Sequence, residues 1–427
     1  MVTEEFNQQV EKHYRHNFLF NMLDGALFWL GFNFFAPSQI LPLYASYFTQ
    51  NTFLIGLIAS IGSIGYLIPQ LFTANRVQRM PRKKTLVVKA GFFLERVPII
   101  LLPLSAFLFA GSNPVVALVL LYLLFTWHSL GAGMIAVAWQ DMVAKVIPVN
   151  RRGRFFGITN FLGTGTGVVG AAGAAWMLAS YPFPMGYVLC FAVAALFIFL
   201  SWVAIAQTRE PALLTQEQPR SQIDFFRQLP AIIRRDVNFA RYLATAALIT
   251  LSNMGVGFLM VYVVRRWELN DSLAGVFTSV MLIGQSLANL IYGALADRKG
   301  HKVVMEISVL AGTAAFGLAA FAPDWSWFYV VFILRGAYLA GALLSGIAIA
   351  LEFSSPEMRP TYIGINSTFS GVAAVLAPLV GSLLADLLGF QALFLIGSLV
   401  GLVSLGMLRW LVREPREHQA AGVCSPF

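Results

Sequence analysis

The chain alternates long apolar runs with short polar breaks along almost its whole length. Each run is about as long as the ~20 residues that an α-helix needs to cross a bilayer. Because backbone groups in hydrocarbon must be hydrogen-bonded within their own segment, we predict that these runs are helices. The predicted spans are residues 18–47, 53–75, 85–110, 114–140, 154–180, 184–207, 241–264, 272–296, 303–322, 325–353, 361–385 and 389–411.

The composition agrees with a membrane location. Of 427 residues, 58% are hydrophobic and 11% are charged, and the mean hydropathy is +0.72. Soluble domains are ~25% charged, so this chain lacks the charge to cover its own surface in water. We therefore predict an all-α, polytopic membrane protein with about twelve transmembrane helices.

The basic residues fall on alternate loops. One set of loops and ends carries Arg76, Arg79, Arg82, Lys83, Lys84, Lys145, Arg151, Arg152, Arg154, Arg298, Lys299, Lys302, Arg359, Arg409, Arg413 and Arg416. The opposite loops carry only Arg265 and Arg266. Since Lys and Arg favour cytoplasmic loops, we predict that both termini are cytoplasmic. The net charge of +9 is then expected to face anionic lipid, not nucleic acid.

Targeting signals give a weaker indication. The first seventeen residues are mostly polar and the first apolar run is longer than a signal core, so we expect no cleavable signal. From this lack of targeting segments we expect a bacterial-type plasma (inner) membrane as the location.

A polar stretch at the midpoint divides the chain. We predict a first bundle at residues 1–207, a cytoplasmic linker at 208–240, a second bundle at 241–413 and a cytoplasmic tail at 414–427. Within the linker, apolar and basic residues alternate at helical spacing over 223–235, which is typical of a helix on a membrane surface. A connector between the halves is favoured over a regulatory partner site.

The two halves are related by sequence. Moving the second half back by 219 residues superposes identical residues: Asn270 on Asn51, Gly275 on Gly56, Gly284 on Gly65 and Arg298 on Arg79. The alignment has no gap through the second span of each half and its following loop. A parallel repeat of six spans is one known route to alternating access around a site between the halves.

One loop carries a family resemblance. Residues 293–302 read Gly-Ala-Leu-Ala-Asp-Arg-Lys-Gly-His-Lys between the second and third spans of the second half. Together with the span count, the midpoint loop and the duplicated loops, this run resembles the signature loop of the major facilitator superfamily. The first half keeps a degraded copy, with Gln78 where the aspartate belongs. The resemblance implies two pseudo-symmetric six-helix bundles that move a solute.

The signature loop predicts a gate. Gly293 removes a side chain, which would let a neighbouring helix approach closely. Asp297 can sit at the positive N-terminal end of a facing helix. Arg298 and Lys302 can bind lipid headgroups or carboxylates, and Gly300 completes the motif. In family terms this latch holds the ends of the halves together in one state. The alternative is that Asp297 and Arg298 are ordinary loop charges.

Charges inside a membrane span are costly, so they mark candidate sites. The candidates within spans are Asp24, Glu95, Arg96, His128 and Arg335. In the family that the chain resembles, spans 1, 4, 7 and 10 line the central cavity. This implies one shared site for Asp24, His128 and Arg335, with Asn253 on the remaining cavity helix.

Helical spacing adds neighbours to the candidates. Asn33 lies further along the helix of Asp24, and Tyr338 shares a face with Arg335. Arg335 is expected to bind an anionic or hydroxyl-bearing ligand, or else to pair permanently with an acid. Asp24 is expected to carry a coupling proton, or else to act at a gate or as a hydrogen-bonding group.

The other three charged candidates are assigned mainly structural roles. His128 titrates in a useful range, but a histidine that is only hydrogen-bonded is the favoured interpretation. Glu95 and Arg96 are adjacent, so they should point about 100° apart and share no face. A structural role against spans 2 or 4 is favoured for both, with Glu95 as a secondary proton carrier.

No motif of enzyme chemistry occurs. The chain has no Gly-rich phosphate loop, no metal-ligand spacing and no nucleophile elbow, so we predict no enzyme activity, cofactor or metal. Cys190 and Cys424 offer no disulfide framework. We predict a monomeric, proton-coupled secondary transporter of a small organic solute. The alternatives are an exporter or flippase of amphipathic compounds or lipids, suggested by 36 Phe, and a membrane scaffold or receptor without transport.

Overall fold

The computed structural model describes residues 2–78, 80–148, 151–212, 233–353 and 359–414. Over these ranges the chain is helical, with no β-strand. In chain order the helices are α1 (Val2–Phe35), α2 (Ile40–Ala45), α3 (Thr52–Gln78), α4 (Lys84–Gly91), α5 (Val97–Phe109), α6 (Pro114–Val146), α7 (Arg152–Ser180), α8 (Met185–Ala206), α9 (Val237–Ser252), α10 (Val256–Arg266), α11 (Leu273–Lys299), α12 (His301–Phe321), α13 (Trp327–Glu352) and α14 (Arg359–Trp410). The surface helix predicted over 223–235 falls mostly outside the described residues.

Within these ranges, eleven helical segments are long and apolar enough to cross a bilayer. Two of them are interrupted, by a π-helical turn at Phe92–Arg96 and by a 3-10 turn at Asn253–Gly255. The last segment, Ile365–Trp410, has 46 residues, which is about twice the length of one span. Gly389, with φ 83°, breaks the helix in its middle, so this segment supplies two spans. The prediction of about twelve transmembrane helices is confirmed.

The first helix begins earlier than the apolar run predicts. It starts at Val2, not near residue 18. In this early part of α1, Tyr14 and Phe18 pack against a buried cluster that includes Phe155 of α7. The rings of Phe18 and Phe155 meet edge to face with centroids 5.4 Å apart. Hydropathy detects only the part of α1 that suits lipid, whereas the helix continues into the polar residues before it.

The described residues form two compact units. In unit 1, α1 packs on α7 and α8, and in unit 2, α9 packs on α14 and α12 packs on α13. The aligned glycines Gly65 and Gly284 have the same role in each unit. A Cβ at Gly65 would lie 2.8 Å from the Ser129 carbonyl carbon of α6, and one at Gly284 would lie 2.6 Å from the Ile333 oxygen of α13. Each glycine therefore lets the second helix of its half touch the backbone of the fourth.

Two short segments belong to the unit built mainly from the other half of the sequence. Thr52–Ser60, at the start of α3, is part of unit 2, and Glu268–Ser279, at the start of α11, is part of unit 1. The aligned glycines Gly56 and Gly275 explain why the packing is possible. A Cβ at Gly56 would lie 3.1 Å from the Pro378 oxygen, and one at Gly275 would lie 2.7 Å from the Ala175 Cα. The sequence repeat is therefore also a repeat of close helix contacts.

Candidate functional site

The charged pair of the third span lies at a local break in the helix. Pro98 has no N–H and cannot donate to the carbonyl of Leu94, four residues earlier. The preceding residues, Phe92–Arg96, form a π-helical turn, the type of distortion that often marks functional sites. Helix α6 crosses this turn at Gly131, where a Cβ would lie 2.8 Å from the Leu94 Cβ and closer still to the Leu94 carbonyl. Only a glycine permits this approach.

The π-helical turn brings Glu95 and Arg96 together. Arg96 Nη1 forms an ion pair with Glu95 Oε2, and both side chains are buried. The sequence analysis expected these adjacent residues to share no face, and the structure shows their side chains in contact all the same. A regular helix would separate them by about 100°, but here the turn is not regular and the long arginine side chain folds back. His128 on α6 donates from Nδ1 to the Glu95 backbone oxygen at 2.9 Å, so the pair is held against the fourth span.

Asp24 on α1 lies in the same unit, fully surrounded by protein. Its carboxylate accepts hydrogen bonds from Ser201 Oγ of α8 at 2.6 Å and from Trp139 Nε1 of α6 at 3.2 Å. It is 4% exposed and interacts electrostatically with Arg96. The acidic cluster, as we call Asp24, Glu95 and Arg96, thus holds two carboxyl groups and one guanidinium. If both carboxyls are ionised, the cluster carries one uncompensated negative charge.

The seventh span supplies the second group of polar residues. Helix α9 ends at a 3-10 turn that begins with Asn253. The Asn253 side chain donates to the Ile249 backbone oxygen at 2.7 Å and to the Tyr338 hydroxyl at 2.8 Å. Its amide oxygen accepts from Arg335 Nη1, also at 2.7 Å. These bonds bring together Asn253, Arg335 and Tyr338, three of the candidates named from the sequence. We call these three residues the arginine cluster.

Arg335 is a buried cation that pairs with no acid among the described residues. It is 7% exposed, and its guanidinium carbon lies 5.1 Å from the Phe316 ring centroid and 4.7 Å from that of Tyr338. Its Nε is buried and has no hydrogen-bond partner. Across the part of the chain that the structure describes, Arg335 forms no ion pair with a carboxylate. The alternative of permanent pairing with an acid therefore finds no support there.

Close helix packing next to Arg335 fixes the position of this part of α13. A Cβ at Gly336 would lie 2.6 Å from the Gln285 backbone nitrogen of α11. A Cβ at Gly312 of α12 would lie 2.9 Å from the ring of Tyr338. Neither glycine could be replaced by a larger residue without a clash. The helical turn from Arg335 to Tyr338 is therefore packed closely against α11 at Gly336 and against α12 at Tyr338.

The predicted site residues thus fall into two groups. Asp24, Glu95, Arg96 and His128 lie in unit 1, and Asn253, Arg335 and Tyr338 lie in unit 2. Asn33 is also in unit 1, but its side chain donates to Trp29 O of its own helix at 2.8 Å. It makes no hydrogen bond to the acidic cluster among the contacts that the structure describes. A single shared site remains a prediction.

The signature loop is only partly as predicted. Gly300, at φ 89°, links α11 to α12 in a backbone conformation that favours glycine. Lys302 pairs with Glu306 at 3.7 Å, and Arg298 is exposed. Asp297 lies near the end of α11, but its side chain is outside what the structure describes, so the latch remains a prediction.

The prediction for Gly293 is wrong. A Cβ built on this residue would meet no atom within 4 Å. Among the described residues no neighbouring helix comes within 4 Å of that Cβ position, so the predicted close approach is not seen there. The spacing of the motif gives no information on which side of α11 the glycine faces, which explains the error.

Three residues near the basic loops were not anticipated. Asn17 of α1 binds the backbone of Arg209, and Asn238 of α9 binds the backbone of Arg413. Glu210 accepts from the Lys84 backbone nitrogen at 2.7 Å and pairs with Lys145 at 2.9 Å. The available signal was a repeated tripeptide, Arg-Glu-Pro, at 209–211 and 413–415. It follows the sixth span of each half.

Comparison with known proteins identifies the family of this twelve-span membrane protein. The model of the Major Facilitator Superfamily matches residues 23–266 and 242–423. The chain belongs to the major facilitator superfamily.

Its relatives differ in what they carry. A niacin transporter of Acinetobacter baylyi is 30% identical over 144 residues, which are 34% of this chain and 33% of that protein. The multi-drug resistance efflux pump PmrA of Streptococcus pneumoniae is 31% identical over 133 residues, 31% of this chain and 33% of that protein. These matches span about a third of the relatives' length.

The crystal structure of a mutant form of the nucleoside transporter NupG has the same fold. It superposes with a TM-score of 0.71 at 14% identity, covering 92% of this chain and 100% of that chain. At this identity the likeness concerns the fold alone.

Proposed function

We propose that the chain is a secondary active transporter that moves a small organic solute by alternating access and couples this movement to protons. The family and the named transporters among its relatives support the transport class. The placement of basic loops supports insertion in a cell membrane with both ends cytoplasmic. We further propose that it acts as a monomer, with the solute, protons and lipid as its partners.

The acidic cluster is the observation that carries proton coupling. Glu95 is paired with Arg96, and Asp24 interacts electrostatically with the same guanidinium, in a buried region of unit 1. Burying an unbalanced charge is expensive in a low-dielectric interior. Uptake of one proton by either carboxyl group makes the cluster neutral. Helices α6 and α8 supply hydrogen bonds to Asp24 of α1, so a change in its protonation can alter how these three helices pack.

The arginine cluster supports solute binding. Arg335, Asn253 and Tyr338 present a guanidinium, an amide and a phenol beside the Phe316 ring. These groups suit a polar molecule with an apolar part. The two clusters lie in different units, so each can be tested by itself.

The experiment uses the purified full chain in proteoliposomes with an inside-alkaline pH gradient. A panel of sugars, organic acids, nucleosides and amphipathic drugs is screened for accumulation. We expect one class to accumulate against its gradient. Asp24→Asn should lose accumulation but keep exchange of labelled for unlabelled solute, because one carboxyl group then balances Arg96. The matched control is Asp141→Asn, since Asp141 is 49% exposed in its pair with Lys83.

Two outcomes would contradict the proposal. If no solute class moves in any variant, the chain is not a transporter, and a scaffold or receptor takes its place. If Asp24→Asn and Glu95→Gln both accumulate solute as the unchanged protein does, coupling through these acids is wrong.

A second candidate function is export of amphipathic compounds or lipids. The likeness to the multi-drug efflux pump favours it. In proteoliposomes with the opposite, inside-acid gradient, a proton-driven exporter would accumulate amphipathic drugs in exchange for protons and leave the polar solutes unmoved.

A further inference from the structure

Arg335 has hydrogen-bond donors that no described residue accepts from. Among the described residues its only hydrogen-bond partner is Asn253, which occupies Nη1. Nε is buried and bonds to nothing. The rings of Phe316 and Tyr338 lie within 5.1 Å of the guanidinium carbon, so they can make cation–π contacts but cannot accept a hydrogen bond as an oxygen does. The Nε edge of the guanidinium is therefore left for a ligand.

A carboxylate fits this edge better than a hydroxyl group. Two parallel N–H groups of an arginine match the two oxygens of a carboxylate, and the charge strengthens both bonds. A neutral hydroxyl group can accept a bond but leaves the buried positive charge uncompensated. No acid pairs with Arg335 across the described residues, so the buried guanidinium carries the free-energy cost of an uncompensated charge. A substrate with its own negative charge would remove this cost.

The surroundings also indicate an apolar body for the ligand. Phe316 and Tyr338 flank the guanidinium. Gly257 is buried and lies one helical turn after Asn253. A Cβ built on Gly257 would have no atom within 4 Å. There is thus open space on α10 close to the polar residues. A small acid with a ring or short chain suits a site with one cation and aromatic walls.

We propose that Arg335 binds the carboxylate of a small organic acid through its Nε edge, with Asn253 holding the other side of the guanidinium in place. This assignment rests on the transport function proposed above and names its substrate class. Asn253 and Tyr338 are then positioning residues, because they orient the arginine.

Matched pairs of ligands test the assignment directly. The purified full chain is titrated at neutral pH with benzoate and benzamide, and with nicotinate and nicotinamide, while intrinsic fluorescence and thermal unfolding are recorded. Each pair has the same ring and differs only in the charged group. We expect the carboxylates to bind at least ~10-fold more tightly than the amides. A nucleoside and a pentose serve as neutral, hydroxyl-bearing probes and should not compete.

Variants connect the binding to the residue. Arg335→Lys keeps the charge but loses the two-pronged geometry, so carboxylate affinity should fall by ~10-fold or more. Arg335→Gln should abolish the preference for carboxylate over amide. Arg241→Lys, an exposed position on α9, is the matched control and should bind as the unchanged protein does. Thermal unfolding without ligand shows whether each variant is folded, and Arg335→Lys remains informative if Arg335→Gln does not fold.

The outcomes separate this assignment from the transport proposal. Equal affinity for acids and amides, undiminished carboxylate binding in Arg335→Lys and Arg335→Gln, or no binding of any carboxylate would overturn it. If a sugar or nucleoside accumulates in proteoliposomes and carboxylates do not, transport stands and the substrate class is wrong. If carboxylates bind through Arg335 but nothing is transported, the site stands and the transport proposal fails.

Discussion

Asn17 and Asn238 make the same pair of hydrogen bonds in the two halves of the chain. Asn17 accepts from the Arg209 backbone nitrogen at 2.8 Å and donates to the Arg209 oxygen at 3.0 Å. Asn238 accepts from the Arg413 nitrogen at 2.9 Å and donates to the Arg413 oxygen at 3.2 Å. Each asparagine therefore fastens the chain that leaves the sixth span to the first helix of the same half.

Replacing either asparagine should destabilise its half to a similar extent. Asn17→Ala and Asn238→Ala each remove two hydrogen bonds and leave backbone groups without a partner, so we expect a loss of ~1–3 kcal/mol in the free energy of unfolding. Thermal unfolding in detergent measures this loss. Gln391→Ala, at an exposed position with one long bond of 3.4 Å, is the control. A loss no larger than that of the control would show that the fastening contributes little.

Two ion pairs of the first half should differ strongly in their contribution. In the Lys145–Glu210 pair the side chains are 5% and 0% exposed, whereas in the Lys83–Asp141 pair they are 4% and 49% exposed. Removing one partner of a buried pair costs ~3–5 kcal/mol because the other charge is left uncompensated. Surface pairs contribute ~0–1 kcal/mol.

Glu210→Gln should therefore lower the unfolding temperature clearly, and Asp141→Asn should change it little. The two variants are compared in the same detergent and salt. Equal effects would mean that Lys145 finds another partner or solvent.

The two glycines of the signature loop should respond in opposite ways to alanine. At Gly300 the positive φ of 89° is unfavourable for alanine by ~1–2 kcal/mol, and its Cβ would lie 2.9 Å from Glu414 Oε1. At Gly293 the backbone is helical and the Cβ meets no atom within 4 Å. Gly293→Ala should therefore be neutral or stabilise by up to ~1 kcal/mol. Thermal unfolding of the two single variants gives the comparison, and a loss in Gly293→Ala would contradict the open space seen there.

Asn253→Asp should convert the proposed substrate site into an internal ion pair. The Asn253 amide oxygen already lies 2.7 Å from Arg335 Nη1, so a carboxylate in its place would neutralise the arginine. We expect the variant to unfold at a higher temperature and to lose most of its affinity for carboxylates. Asn253→Ala should weaken binding less, since Arg335 keeps its charge. Carboxylate binding in Asn253→Asp at unchanged affinity would contradict the proposed role of Arg335.

Some of these features could be predicted from the sequence because they follow from local chemistry. Apolar length identifies the spans. The three-residue spacing of Arg335 and Tyr338 places them on one face. The aligned glycines, Gly65 and Gly284, indicate a structural repeat even before their contacts are known.

Other features depend on contacts that no local pattern encodes. Ser201 is one serine in an apolar helix, and only its distance from Asp24 distinguishes it. The pairing of Glu95 with Arg96 depends on a π-helical turn, which the position of Pro98 suggests only after the structure is known. Tyr14, before the predicted start of the first span, packs against a cluster that includes Phe155, more than a hundred residues away.

Proton movement that accompanies solute entry tests the central claim most directly. Proteoliposomes that enclose a pH-sensitive dye receive a carboxylate that the binding titration has identified, and acidification of the lumen is recorded. Protein-free liposomes correct for passive entry of the undissociated acid. One proton taken up by the acidic cluster and one carboxylate at Arg335 leave both clusters neutral, so acidification should match solute entry one for one and be insensitive to membrane potential. Asp24→Asn should exchange solute without acidification. Solute entry without proton movement in the unchanged protein, or full acidification with Asp24→Asn, would contradict proton coupling through this cluster.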